Sequence, residues 1–326
     1  MMKRRIIWLI GSLLALVVIV LGLAGNYIYD LAISRNSGVV QLYGGTDEAV
    51  EAVSALEEEQ KRLEELRSWT SRQKFEQVSI QSDDGLTLKG LYLKNKYPNG
   101  KTVVLAHGYK GNSDQLPEVT RFYYRQGYNI LKPDARGHGD SEGDYIGYGW
   151  PDRLDYVKWI DFLVKEKGEE AIFLHGFSMG ASTVLMTSGE DLPPEVKGII
   201  SDSAYTNLED ELAHQLKYLY DLPAFPLVDA TSIVTKIRAG YSFKEASAVE
   251  QVKKNDLPLL IIHGAEDELV PTEMATEIYK AAGGKKDMWI VPEAGHTEGF
   301  LVNETDYGTK VIDFVNEAMM EQEENN

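Results

Sequence analysis

The chain has 326 residues, 43% of them hydrophobic, and a formal net charge of −18. That is enough apolar material for one large globular domain with additions, and the acidic balance excludes the clustered positive footprint that nucleic-acid binding needs. With no cysteine, disulfides, thiolate metal sites, a catalytic thiol and a lipid-modified cysteine are excluded, and the six histidines form no H-E-x-x-H or paired motif for zinc. Neither a cofactor nor a metal is expected.

Lys3, Arg4 and Arg5 precede an apolar run of about twenty residues from Ile6 to Gly25, broken by Ser12 and long enough for a hydrocarbon core of about 30 Å. Tyr27 and Tyr29 follow at the position of an interfacial aromatic belt. A secretory signal begins the same way, but this run is long for one and no convincing small-residue cleavage site follows. A retained membrane anchor over residues 1–30 is therefore predicted, with the basic end in the cytoplasm and everything after Gly25 outside.

After Gly44-Gly45, Thr46 is placed to cap a helix with Asp47 and Glu48 in its first turn, running to about Arg67. Glu57 with Lys61 and Glu58 with Arg62 stand at i, i+4, beside a thin apolar stripe of Val53, Leu56, Leu63 and Leu66. The expectation for 31–74 is a solvated helical stalk.

From Phe75 the pattern becomes alternating, with strands through Val78-Ser79-Ile80 and 86–93 around an Asp84-Gly85 turn. Beyond them strands are predicted at 102–106, 128–131, 171–174, 196–200, 259–262 and 288–291, and helices at 118–126, 151–165, 181–187, 272–282 and 306–320. Such near-continuous apolar strands belong in a parallel sheet buried on both faces. The interval 204–256 breaks the alternation with aromatic-rich helices and is expected to form a cap within a unit spanning 75–326.

Chemistry concentrates at Gly176-Phe177-Ser178-Met179-Gly180, which follows a predicted strand and opens a predicted helix. A serine in that strained turn presents its Oγ, flanking glycines permit the close packing, and the Met179 amide points into the site to stabilise an oxyanion. A second match, Gly139-Asp140-Ser141-Glu142-Gly143, has neither the strand nor the helix. Ser141 therefore reads as a turn residue.

These features, over about 75–320, resemble the α/β-hydrolase superfamily, and within it the bacterial membrane-anchored hydrolases grouped with serine aminopeptidase-like and prolyl-oligopeptidase-like folds. The resemblance implies a mostly parallel sheet flanked by helices, with a small helical cap. It also implies the order serine, acid, histidine, which Ser178, Asp267 and His296 follow. Asp267 matches H-G-x-x-D-x-x-V-P in the stretch from His263 to Pro271, and is preferred to its neighbour Glu266 and to Asp202 at the end of the strand after the elbow. His107, His138, His175 and His263 each adjoin a glycine and are read as loop braces, while His214 belongs to the cap. By resemblance the Tyr109 amide is the second oxyanion donor, and Asp134 to Ser141 form a D-x-R-G-x-G-x-S turn that buttresses its loop. Tyr109, Tyr205 and Phe225 are the candidate substrate contacts.

The expected activity is hydrolysis of a carboxylic ester through an acyl-enzyme, because the cap is small and aromatic. A serine aminopeptidase, a lipid deacylase and a thioesterase stay open on the same three residues, as does a non-catalytic membrane scaffold.

Overall fold

The structure, a computed structural model, describes residues 2–36 and 53–324. Helix α1 (Met2–Ile28) passes into a single π-helical turn (Tyr29–Ile33), and α2 (Val53–Ser71) leads to β1 (Glu76–Gln81), β2 (Thr87–Leu93) and β3 (Thr102–Ala106). Then come α3 (Pro117–Arg125), β4 (Asn129–Pro133), α4 (Asp152–Phe162) with its own π-helical turn, β5 (Ile172–Phe177), α5 (Met179–Thr187) and β6 (Val196–Asp202). The helices α6 (Leu208–Tyr220), α7 (Leu227–Ala239) and α8 (Ala248–Val252) intervene before β7 (Leu259–Gly264), α9 (Thr272–Ala281), β8 (Lys286–Val291), α10 (Gly299–Val302) and α11 (Glu304–Glu324).

The eight strands form one sheet in the order β1-β2-β4-β3-β5-β6-β7-β8. The β1–β2 and β2–β4 pairs are antiparallel, and every pair from β4 to β8 is parallel. All residues of β3, β5 and β7 are buried, as strands covered by helices on both faces must be. The fold is α/β with a mostly parallel sheet. Strand β5 runs three residues past its predicted end because His175, Gly176 and Phe177 still pair with Ile200, Ser201 and Asp202. That register sets the elbow after β5 beside the end of β6, and Ala106 opposite Gly176 sets the loop after β3 on the other side.

Helix α1 is long and apolar enough to cross a membrane, at about 1.5 Å per residue. Its far end departs from a division of the chain at residue 30. Gly25 is buried against α7, where a Cβ would stand 2.7 Å from the Ala230 backbone. Tyr29 and Ile33 are buried in the main core, and the Ile33 carbonyl accepts from Ile146 N–H at 2.7 Å. Asp30 pairs with Arg238 at 2.7 Å, and the guanidinium also covers the Tyr29 ring.

Residues 46–52, where the sequence pattern starts and caps the second helix, lie outside the described residues. The last turns of that helix are not a solvated stalk. Leu66 is buried and Trp69 meets Tyr124 of α3 edge-on at 5.7 Å, so burial of apolar side chains, not i, i+4 pairs, holds its last turns.

Candidate active site

Ser178 begins α5 with φ 54° and ψ −119°, a conformation that costs a non-glycine residue energy and persists only where its surroundings enforce it. They do so here: a Cβ on Gly176 would run into the Gly180 backbone, and one on Gly180 into the carbonyls that end β3. The tight turn aims Oγ away from the sheet. His296 Nε2 stands 2.8 Å from Ser178 Oγ, and His296 Nδ1 stands 2.8 Å from Asp267 Oδ2.

Asp267 is buried in the loop after β7, and its Oδ1 accepts from the amides of Leu269 at 3.1 Å and Val270 at 2.9 Å. Burial by itself would raise its pKa. Hydrogen bonds from His263 and His296, with the charge of His296 and the Val270 amide, outweigh burial and hold the carboxyl well below the usual carboxylate range. His263 is the contributor that sequence reasoning missed. Its Nε2 lies 3.2 Å from Asp267 Oδ2 and 2.9 Å from the Val270 carbonyl, so it braces the loop as expected and also grips the carboxylate. Its place at the head of H-G-x-x-D was the available signal.

The rival acids sit elsewhere. Asp202 is buried and accepts from Tyr307 Oη at 2.7 Å and Ser203 Oγ at 3.0 Å, with its pKa raised by burial. Glu266 is exposed. Ser141 is buried, donating to the Asp134 carbonyl at 2.7 Å and accepting from Lys89 N–H at 2.8 Å, which leaves its hydroxyl with structural work.

The Asp134–Ser141 turn reaches the loop after β3 through paired imidazoles. His107 Nε2 accepts from Ala135 N–H at 3.0 Å, His138 Nε2 accepts from Lys110 N–H at 3.2 Å, and Asp134 takes the Ser113 amide at 2.5 Å. Burial pushes His138 down to about 3, so it stays neutral and can accept. Arg136 anchors the turn through a buried two-point contact with Asp155 at 2.7 and 2.8 Å.

Of the candidate substrate contacts, Tyr109 stacks on Tyr148 at 5.5 Å and donates to the Ala32 carbonyl at 2.9 Å. Tyr205 is a correction: it is buried, with its hydroxyl on the Tyr148 carbonyl at 2.8 Å, and serves as packing. Phe225 is a second. It is 78% exposed, ahead of α7, and borders neither cavity beside the loop after β3. Aromatic content alone could not separate packing from lining positions. Ser178 itself opens into a cleft bordered by Gly108, Gln115, Leu116, Glu118, Thr297 and Phe300. Among the described residues no cluster of metal-ligating side chains occurs.

The chain is a member of the α/β-hydrolase superfamily, and as an enzyme it is a serine hydrolase, esterase-like in its structural neighbours. Residues 98–223 match the family model described as serine aminopeptidase, S33. An uncharacterized protein of Bacillus subtilis, YqkD, is 28% identical over 248 residues, 74% of this chain and 81% of that one. The lysophosphatidylserine lipase ABHD12 of Rattus norvegicus is 26% identical over 191 residues, 56% of this chain and 46% of the lipase. Among solved structures, an esterase of Pyrococcus furiosus, Pf2001, superposes with a TM-score of 0.63 at 25% identity, covering 78% of this chain and 93% of the esterase.

Proposed function

We propose that the protein is a membrane-anchored serine esterase working through an acyl-enzyme, with Ser178 as nucleophile, His296 as general base and acid, and Asp267 as its orienting carboxylate. The observation that carries this reading is the position of one imidazole within 2.8 Å of both the Ser178 hydroxyl and the Asp267 carboxylate. A serine hydroxyl is un-ionised near neutrality and needs a base as it attacks. His296 Nε2 takes the proton, the Ser178 Oγ–carbonyl bond forms, and the oxyanion is received by the amides of Met179 and Tyr109. Collapse breaks the ester C–O bond while His296 returns the proton to the leaving alcohol. Water then repeats the steps and frees the acid. Asp267 stays ionised throughout, holding the tautomer with Nδ1–H and stabilising the imidazolium.

An ester is preferred to a peptide with a free amino terminus. Glu118 lines the Ser178 cleft and could hold an ammonium group, but Arg62 already faces it at 3.6 Å. The anchor is α1, with Lys3, Arg4 and Arg5 in the cytoplasm and the unit 75–326, cap 204–256 included, outside. The test is kcat on p-nitrophenyl acetate for Ser178→Ala beside Ser141→Ala. Loss of at least about a thousandfold for the first alone supports the assignment, and equal losses in two folded variants overturn it.

A further inference from the structure

A second cavity lies on the other side of the oxyanion loop from the Ser178 cleft, and neither the elbow nor the His296 contacts account for it. Its walls come from three parts of the chain. Ile28 and Leu31 belong to the end of the membrane-crossing helix and the turn after it, Leu212 and Leu216 to α6, and Val228 and Phe243 to α7 and the segment beyond. Tyr109 closes it on the catalytic side, and the preceding residue, Gly108, borders the Ser178 cleft. The two spaces therefore flank the loop after β3 on either side.

Two independent features tell what the cavity takes. Its lining is mostly apolar, with Gln215 and Thr231 as the polar exceptions beside the tyrosine rings, so an uncharged hydrocarbon fits and a charged or sugar group would lose its hydration without replacement. The second is the surface around it. Leu222 and Phe225 lie in the α6–α7 connection, and Ile233 and Ile237 lie on α7 three and seven residues after Ala230, which packs on Gly25 of α1. All four are exposed, Phe225 and Ile237 at 78%. Exposed apolar side chains in this number call for an apolar partner, and α7 carries two of them while packing on a helix long and apolar enough to cross a bilayer.

We infer that this cavity is the acyl site of the enzyme, that the last turn of the membrane helix is one of its walls, and that it receives the long, uncharged acyl chain of an ester drawn from the same bilayer. This rests on the proposed ester hydrolysis at Ser178 and adds the substrate class. The apolar face of the cap sits in the interfacial layer beside α1, a chain enters between α1 and the cap helices, and the ester carbonyl stays at the loop carrying the Tyr109 amide. The anchor is then part of the site as well as a tether. Each buried chain methylene adds to the favourable transfer out of water, so a long chain is favoured over acetate.

The test uses the full chain reconstituted in phosphatidylcholine vesicles, with p-nitrophenyl hexadecanoate and p-nitrophenyl acetate as substrates and short-chain fluorophosphonate labelling of Ser178 as the check on the nucleophile. Leu31→Trp and Leu216→Trp fill the cavity from opposite walls. The expected result is a fall of at least tenfold in the ratio of hexadecanoate to acetate kcat/KM for both variants. An unchanged ratio in variants that still label overturns the acyl site. If the wild type neither labels nor hydrolyses acetate, the Ser178 reading itself has failed. Hexadecanoate placed in the enzyme's own vesicles should be hydrolysed at least severalfold faster than the same amount in separate vesicles; equal rates would overturn entry from the bilayer.

Discussion

The strand ends that carry Ser178, Asp267 and His296 and the far end of α1 meet at one loop, 107–112, but are built in opposite ways. On the catalytic side each functional residue sits at the end of its own strand: Ser178 after β5, Asp267 after β7 and His296 after β8. At the far end of α1, 29–35 makes one isolated bridge, Ser34 to Tyr145, and is held by contacts to residues more than seventy positions away. Ala32 accepts from Tyr109 and Tyr148, Lys110 donates to the Arg35 carbonyl at 2.8 Å, and the Arg35 guanidinium reaches the carbonyls of Gly139, Ser141 and Gly143 at 2.8, 2.6 and 3.2 Å. The contrast teaches that a local strand–turn–helix grammar can place chemistry, while the element that steadies the loop after β3 comes from the far end of the apolar helix α1.

The largest expected effect breaks the catalytic side. Ser178→Ala should remove at least about three orders of magnitude of kcat, whereas Ser141→Ala, which loses two buried hydrogen bonds, should cost about 1 kcal/mol for each in stability and leave kcat within tenfold; steady-state rates and thermal melts read both. Next comes the acid. Asp267→Asn should lower kcat by about a thousandfold or more, by analogy with the serine–histidine–aspartate template, and Asp202→Asn by far less, so the opposite ranking would move the acid to Asp202.

The membrane side is probed by Arg35→Ala, which leaves three carbonyls without a charged donor; hydrogen bonds to a charged group contribute about 1.5–3 kcal/mol in favourable cases. A lower melting temperature and a several-fold fall in kcat with little change in KM are expected. If only the membrane association of the protein changed, 29–35 would be a tether and nothing more.

The smallest effect is a pH signature of the cap. Burial pushes Glu211 up to about 8, against hydrogen bonding from Gln215, with the Asp267 charge adding to the rise. A carboxyl raised above its ordinary 4.5 contributes stability that is complete below that value and lost as the pH climbs through about 8. Glu211→Gln should therefore gain in melting temperature over the wild type between pH 5 and pH 9, on the order of 5 °C. A constant difference would show that Glu211 is not a buried neutral acid.

Much of the fold and the site was legible in the sequence where the signal was local. The two glycines around Ser178, the H-G-x-x-D pattern at Asp267 and the apolar runs of β3, β5 and β7 each carry their reason within a few residues. The docking of α1 does not. Only Gly25 hints at it, since a small residue permits the approach to Ala230, and glycine is common in membrane-spanning helices whatever they touch. The Asp30–Arg238 pair and the burial of Tyr29 depend on a chain reversal that no local pattern encodes, so Tyr29 reads as an interfacial aromatic. Tyr205, between β6 and α6, and Phe225, between α6 and α7, lie in connections whose packing is set by tertiary contacts that no local pattern encodes.

The central claim is that one serine carries the acyl group, and it is tested most directly by trapping that group. Wild-type protein mixed with p-nitrophenyl acetate, quenched in acid within a turnover and digested should carry an acetyl mass on the peptide containing Ser178, increased in Asp267→Asn if deacylation slows more than acylation. Steady turnover with no acetylated peptide, or with the acetyl group on a peptide lacking Ser178, would contradict the account.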